Sequence, residues 1–521
     1  MPNSKTLIRL ACVAMTTVYL VFFPCPTSEA QPVSVSMIAK EGDFIGTATI
    51  DGLNSPAVNS SSQVGFLGSL SDGDRFIWFD DGVIWLNSDG MPVDTLTGGE
   101  ATIGIGTSQE FLYSPSYSGA DAVYSHNGLL LVDGAQAPGF DPGVTNTFNS
   151  RPAMTDDGMA CWVAGFNESG GTSTEGRVLY KSVGALPENT EIVLKSGDMV
   201  GGFMIKTGSA GIDFDFQYSH NGAHYIQVLV MDTGSTLNDD FMYVDGTLIA
   251  RETEPAGNGD NWDNFDQVSI NNNGDYIFTG DTDGDTSSDE FIAYNGTIVI
   301  SEGDTLDGQV LESSSLVRGA SINDNGDLLH AWRLGSDTEA LFFGRAYNPV
   351  ETSVLLLKTG DEIDIDGDEI VDYVVDDFLA GTFPGVNPSN GPYIYLEVDV
   401  IPMGGVEAIE AIIGVPIPPR SLDLTCEISG IDLMLEWSTV EGAATYWVYG
   451  ADNLPWFVPG PAPGFENRLA VVFGDTTWIA SQGVGGPDHN WTYMIIAVDD
   501  GDVEMIRSNR IADWDFDTDI P

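Results

Sequence analysis

The sequence predicts an all-β protein: about seven blades of a β-propeller over residues 33–417, then a smaller β-sandwich over 418–515. Three observations carry this reading. An Asn-x-x-Gly-type turn recurs along the chain, with Gly158, Gly222, Gly274, Gly326 and Gly391 spaced by 64, 52, 52 and 65 residues. Asn-Gly or Asp-Gly pairs follow between short apolar runs, the strongest local signal for a tight hairpin. Helical periodicity is nearly absent, and Gly and Asp punctuate strand-sized runs throughout. Repeats of this length suit blades with variable loops better than shorter, helix-containing repeats.

The clearest unit is 269–304, SINNNGDYIFTGDTDGDTSSDEFIAYNGTIVISEGD. Asn272-Asn273-Gly274 supplies the positive φ of a turn after the apolar Ile270. Tyr276, Ile277 and Phe278 form a second strand, of residue types that suit a half-buried pleated surface. An acidic loop, 281–289, leads to a third strand at 291–294, and Asn295-Gly296 turns the chain into a fourth at 297–300. Two hairpins joined by a loop make one four-stranded sheet. The same grammar recurs with Asn323-Asp324-Asn325-Gly326, with Ser219-His220-Asn221-Gly222 before Asp245-Gly246, and with Thr155-Asp156-Asp157-Gly158. Weaker copies surround Asp81-Gly82 and Asn127-Gly128.

The last copy, from Asn390-Gly391, lacks a second hairpin ending in Gly-Asp, and residues 33–43 supply that ending as Lys40-Glu41-Gly42-Asp43. An N-terminal strand completing the last blade would close a ring and protect its edges from outside pairing.

Residues 1–30 read as a secretory signal: Lys5 and Arg9, an apolar run over 10–23, and Ser28-Glu29-Ala30 as a small-residue cleavage site. The alternative, an uncleaved anchor, has a run short for a bilayer. Export to a secreted or cell-surface location follows, without membrane insertion of the mature chain. A net charge of −60, from 78 Asp and Glu against 18 Lys and Arg, excludes nucleic acid and anionic membranes as direct partners. The same charge fits either a solvated acidic surface or carboxylates that bind Ca²⁺. After the signal only Cys161 and Cys426 remain, in different domains, which is no disulfide framework. Cys161, beside Trp162, reads as a buried free thiol. Pro416-Ile417-Pro418-Pro419 is a stiff linker and the domain boundary.

Beyond Arg420 the order of motifs carries a family resemblance. Leu433-Met434-Leu435-Glu436-Trp437 is followed by Gly442-Ala443-Ala444-Thr445-Tyr446-Trp447-Val448-Tyr449, then Thr476-Thr477-Trp478 and Tyr493-Met494-Ile495-Ile496-Ala497-Val498. This stretch resembles a fibronectin type III domain, matching its second, third, fifth and sixth strands, with 455–463 as an insertion. The resemblance implies a spacer or docking module; the absence of Arg-Gly-Asp carries over no adhesion motif. The repeat region resembles exported bacterial repeat proteins built on Asn-x-x-Gly units, which implies an architecture and an address but no activity.

The best candidate for chemistry is the run Asp364-Ile365-Asp366-Gly367-Asp368-Glu369-Ile370-Val371-Asp372. Asp364, Asp366, Asp368 and Asp372 are spaced to wrap a hard cation such as Ca²⁺ with oxygen ligands. The run departs from an EF-hand loop, because Glu369 stands where glycine makes the sharp turn. The alternative is an acidic surface loop. Asp281, Asp283 and Asp285 form a weaker candidate. His220 and His224 flank a turn rather than share a helix face, so their spacing makes no zinc site. No Gly-x-Ser-x-Gly elbow, His-Glu-x-x-His or Cys-x-x-Cys is present. The run 321–327 resembles a sialidase Asp-box only loosely, with the wrong spacing. Trp78, Trp85, Trp162, Trp262 and Trp332 would stack on sugars if exposed, and pack between blades if buried.

The expected function is therefore an exported binding or structural protein without catalysis, with an extracellular polysaccharide or a surface protein as ligand. The alternative is a carbohydrate-active enzyme, a glycoside hydrolase or polysaccharide lyase, which needs only two well-placed carboxylates. No catalytic residue and no organic cofactor is assignable from the sequence.

Overall fold

A computed structural model of the chain describes residues 32–80, 82–86, 103–117, 120–312, 315–335, 338–368, 370–378, 387–388, 390–417, 424–429, 432–437, 440, 443–452, 468–473, 476–480, 491–498, 504–507 and 511–513. The signal-like segment 1–30 and the linker residues Pro418 and Pro419 lie outside them. The chain is all β apart from one four-residue helix, Pro349–Thr352, and two single 3-10 turns among the described residues. It divides into two compact units, the first ending at Pro416 and the second beginning at Ile417.

The first unit is a seven-bladed propeller. Its main sheets cover 48–86, 103–132, 145–195, 212–251, 268–301, 316–358 and 373–416, taken here as blades 1 to 7. Blades 3 to 6 are plain four-stranded antiparallel meanders. In blades 1 and 7 the first strand is split, and the innermost pieces are Ala57–Val58 and Asn387–Pro388. Ring closure shows in the innermost strands, each of which touches the next. Ala57–Val58 meets Ile103–Ile105, then Thr145–Met154, Ile212–Tyr218, Val268–Ile270, Leu316–Ile322 and Asn387–Pro388, which returns to Ala57–Val58.

The turn that repeats in the sequence has a local cause. In blade 5 the Asn271 Oδ1 accepts the N–H groups of Asn273 at 3.0 Å and Asp275 at 2.9 Å. Asn323 repeats this with Asn325 and Asp327, both at 3.0 Å. The chain then leaves through Gly274 at φ 82° and Gly326 at φ 71°, a region open to glycine at little cost. Asn295-Gly296 and Asp245-Gly246 have positive φ at both positions, as a type I′ hairpin needs.

One recurring device was absent from the sequence reading. In blades 1 to 6 the outer hairpin carries a register shift at the same place, for example between Ile292 and Ala293 and between Met242 and Tyr243. A bulge there increases twist and spoils the outer edge as a template for pairing.

Apolar cores lie between blades rather than within them. Ile277 and Ile292 of blade 5 pack with Leu328, Trp332 and Phe342 of blade 6, and Leu131 of blade 2 packs with Trp162 and Tyr180 of blade 3. Trp85, Trp162, Trp262 and Trp332 all belong to such cores, and Trp78 stacks on Phe66 with centroids 5.4 Å apart. The first four are buried between blades and offer no face to a sugar, while Trp78 is half-buried against the core of blades 7 and 1.

The ends of the propeller meet in blade 7. Ser36–Lys40 pairs antiparallel with Ile409–Pro416 in the register Met37↔Ile413 and Lys40↔Ala411. Ala39 and Ile412 are buried with Ile50, Phe66 and Phe76 of blade 1. The missing strand of the last copy is thus supplied by the N-terminal segment, as the sequence pattern anticipated.

The second unit has a three-stranded sheet and a five-stranded sheet. Leu433, Leu435 and Trp437 of the first share a buried core with Tyr446, Val448, Ile495 and Ala497 of the second, so the two sheets face each other. Strand Leu424–Ser429 holds Cys426, whose side chain lies outside the described residues.

Candidate functional site

The propeller axis holds a cavity of about 170 Å³, walled by the innermost strands of blades 1 to 6. Two of these strands are bulged where charge enters the wall. In blade 3 the register shifts between Ser150 and Ala153, and Arg151 sits in that bulge at φ 53°. In blade 4 the shift lies between Ile212 and Phe216, spanning Asp213 and Asp215. The carbonyls of Asp213 and Asp215 leave the ladder there, and Gln227 Nε2 donates to them at 2.8 and 3.2 Å. A bulge re-aims a side chain without ending its strand, which suits a site built on a rigid frame. The Arg177 guanidinium braces the same strand: it lies 4.1 Å over the Phe214 ring and donates to the Ile212 carbonyl at 2.9 Å.

Arg151, Asp215 and His220 are charged or titratable groups in the cavity wall; Phe214, Phe216 and Tyr218 of the strand Ile212–Tyr218 also line it, with their side chains packed against the core between blades 3 and 4. Burial first, then the adjacent Asp213, push the Asp215 carboxyl up to about 8, while Arg151 pulls it down. Asp266, just ahead of the inner strand of blade 5, adds a further raising charge. Asp266 is itself raised, by burial and then Asp281. In the adjoining strand Glu290 goes up to about 9: burial dominates, the Val317 N–H opposes it and Asp281 reinforces it.

The repeat turns form one end of this channel. The residue after each turn-starting Asn, Ser or Thr reaches the neighbouring blade. Asn221 N–H donates to Asn272 Oδ1 at 2.7 Å, and Asn272 donates N–H and Nδ2 to the Asp324 carboxylate at 2.7 and 2.8 Å. Asn390 Nδ2 donates to Asp324 at 2.7 Å and to the Ser60 carbonyl at 3.4 Å. Ser60 donates its N–H and Oγ to Asp156, whose own N–H donates to the His220 carbonyl at 2.7 Å. Blade 2 joins through the Thr107 N–H, 3.2 Å from the Asp156 carbonyl. The circuit therefore links all seven blades. Burial holds the His220 imidazole below its usual value, against the pull of Asp156 and Asp324.

The sequence-predicted metal ligands stand elsewhere. Ligand atoms of Asp364, Asp366 and Asp372 lie within 4.8 Å of one another, but Asp368 is not in this group. Asp364 Oδ1 accepts from the N–H groups of Asp366 and Gly367, and Asp372 Oδ2 from Ile365. Asp368 accepts from the Ile370 N–H at 2.9 Å. Asp281, Asp283 and Asp285 do not converge: Asp283 accepts from Asn261 and Asp285 from Ser287. His220 and His224 also part, with His224 Nδ1 2.7 Å from Asp245. Cys161 is a buried free thiol, and burial pushes it up, far from nucleophile chemistry.

A second gathering, Asp239, Asp240 and Glu252, went unseen in the sequence. Lys206 Nζ lies 2.8 Å from Asp239 and already compensates it. Neither this group nor the channel had a local signature, because the partners come from separate strands.

No family model matches the chain, and no curated protein matches it. Among solved structures, it is similar to the polysaccharide lyase Uly1 at 12% identity, over 67% of this chain and 89% of that one, with TM-score 0.31. A protein of unknown function from Bacteroides caccae aligns at 14% identity over 58% and 92%, with TM-score 0.29. A gluconolactonase from Xanthomonas campestris aligns at 10% identity over 58% and 95%, with TM-score 0.27. Likenesses with TM-scores this low carry no argument about this chain.

Proposed function

We propose that the protein is an exported, non-enzymatic binding propeller whose axial channel receives part of an extracellular polysaccharide, the second unit serving as a spacer. The carrying observation is the axial cavity itself, whose wall gathers polar groups from separate blades: Arg151 of blade 3, Asp215 and His220 of blade 4, Gln267 ahead of blade 5 and Ser321 of blade 6. Several hydrogen-bonding groups around one concavity match the hydroxyls of a sugar ring. Secretion rests on the signal-like segment 1–30, and the spacer role on the fibronectin-like motif order.

Catalysis by a carbohydrate-active enzyme is the competing reading, and Asp215 is its one support: a carboxyl still protonated at neutral pH is suited to act as a general acid. Against hydrolysis, Asp215 is the one carboxylate among the described residues of the cavity wall, where glycosidase chemistry needs a pair.

The test is incubation of the mature protein with immobilised extracellular polysaccharides, reading retention and released product together. Retention without product, lost in Arg151→Ala, supports the binding reading. Product release makes it an enzyme. No retention on any glycan overturns the polysaccharide assignment and directs the search to protein partners.

A further inference from the structure

Three consecutive blades bury carboxylates at one position of the outer hairpin and meet the charge differently. In blade 4 the Glu252 N–H donates to the Asp240 carbonyl at 3.0 Å, and ligand atoms of Asp239, Asp240 and Glu252 lie within 4.8 Å of one another. Lys206 supplies the cation there, with its Nζ 2.8 Å from Asp239. In blade 6 the Thr359 N–H makes the corresponding bond to the Glu339 carbonyl, and Glu339 has Arg318 at 2.9 Å and Arg333 at 3.4 Å. In blade 5 the Glu302 N–H donates to the Glu290 carbonyl at 3.0 Å, so the matching set is Asp289, Glu290 and Glu302. Asp281 adds a fourth carboxylate, directly opposite Glu290 on the next strand.

Blade 5 has no basic side chain for this charge. The Lys206 N–H donates to the Val230 carbonyl at 2.8 Å; the residue making that bond in blade 5, to the Asp281 carbonyl at 2.9 Å, is Asp263. No Lys or Arg ion pair among the described residues involves Asp281, Asp289, Glu290 or Glu302. Yet Glu290 is only 7% exposed and Glu302 only 6%. Glu290 Oε1 accepts the Val317 N–H at 2.9 Å, whereas Glu302 Oε2 is buried with no hydrogen-bond partner. The Glu302 carboxyl is turned toward the other two, accepting from the Glu290 and Asp289 N–H groups, just as Glu252 Oε2 accepts from the Asp240 N–H at 2.9 Å. Like charges on facing strands repel, and a buried carboxylate without a partner is costly. The blade 5 carboxylates are accordingly not drawn together as closely as those of blade 4.

We propose that blade 5 binds a Ca²⁺ ion through Asp289, Glu290 and Glu302, in the place that the Lys206 ammonium takes in blade 4. The donors are all oxygens, with no His or Cys in the set, which selects a hard cation. The site is separate from the 364–372 loop and independent of the polysaccharide reading. Because its carboxylates are buried, it holds its ion through purification and releases it to a chelator. Ca²⁺ added to the unchelated protein therefore reports on the exposed loop.

The experiment is metal analysis of the intact mature protein before and after dialysis against EGTA, followed by calorimetric titration of the stripped protein with Ca²⁺ and with Mg²⁺. Ca²⁺ is expected to be retained before chelation and to bind again more tightly than Mg²⁺. Glu302→Gln, with its folding checked by circular dichroism, is expected to weaken this binding at least about tenfold, and Asp366→Ala to leave it unchanged. Asp263→Lys restores the basic residue of blade 4. It is expected to abolish the binding and to raise the melting temperature of the stripped protein. Binding that survives both Glu302→Gln and Asp263→Lys, or that is lost in Asp366→Ala, assigns the ion elsewhere and overturns the proposal. No Ca²⁺ bound in the wild type overturns it as well, and makes protons the countercharge of these carboxylates.

Discussion

Two carboxylate-rich regions of this molecule behave in opposite ways. In the 364–372 loop Asp364, Asp366 and Asp372 lie close in sequence and are satisfied by the loop's own N–H groups. Asp366 shows the balance: the Asp368 N–H lowers it, while Asp368, Asp372 and Asp364 carboxylates raise it to a net upward shift. In the channel wall Asp215 has Asp213 beside it on its own strand and Asp266 on the blade 5 side, and burial dominates its upward shift. The local acidic run is thus satisfied by its own backbone, whereas Asp215, among charges assembled from two blades, carries the larger perturbation. Burial of charge, and not its density along the chain, marks the region with more to gain from a ligand.

The largest effect tests whether assembly makes the channel. Trp332 is fully buried between blades 5 and 6, and its Nε1 donates to His330 Nδ1 at 3.0 Å. Trp332→Ala is expected to cost about 3–5 kcal/mol in denaturant unfolding. The folded fraction should bind glycan as before. Lost binding in a fully folded variant would make Trp332 a ligand residue.

Next comes the turn circuit. Asp324 accepts from Asn272 and from Asn390, so Asp324→Ala unpairs both neighbouring blades. A loss of about 2–3 kcal/mol is expected, with faster amide exchange at Asn272 and Asn221. Unchanged exchange there would show that the blades hold together without the circuit.

A smaller, graded effect separates the two regions by pH. Asp215, Glu290 and Glu397 are pushed up to about 8, 9 and 7, with burial the first cause in each. Their folded values exceed the unfolded ones, so the native state binds more protons. The stability they confer is complete below about pH 4 and is lost as pH rises through 7 to 9. The melting temperature should therefore fall from pH 5.5 to pH 9, and less so in Asp215→Asn. A rise over that range would mean that these groups are hydrated in solution.

The smallest effect concerns the loop. If Ca²⁺ is held at 364–372 as the sequence suggests, millimolar Ca²⁺ should raise the melting temperature by a few degrees, and Asp366→Ala should remove most of that gain. An equal gain from NaCl at matched ionic strength would show screening alone.

Much of the frame was readable before folding was considered. Asn271 and Asn323 bond two residues of their own turn, and Gly274 and Gly326 need positive φ, so each turn is written in about five consecutive residues. The closing strand was readable because Lys40-Glu41-Gly42-Asp43 repeats the ending that the last copy lacks. Less was readable of the site. Asp156, Asn272 and Asp324 looked like interchangeable turn residues, yet each bonds a residue in another blade. Arg151 and Asp215 gave no signal at all, since the bulges that expose them depend on strand pairing. Asp368 shares the spacing of its neighbours, but Asp364, Asp366 and Asp372 are the three whose ligand atoms lie within 4.8 Å of one another.

The sequence by itself determined the all-β class, the repeated blade and the strand that closes the ring. Those features rest on turns and alternation, which act over a few residues and leave a periodic mark. Only the tertiary structure decided which charges share the axis, which tryptophans are core, and that Lys206 compensates Asp239 from 33 residues away. Burial and long-range Coulomb interaction set those outcomes, and both depend on distances through space that the order of residues does not record.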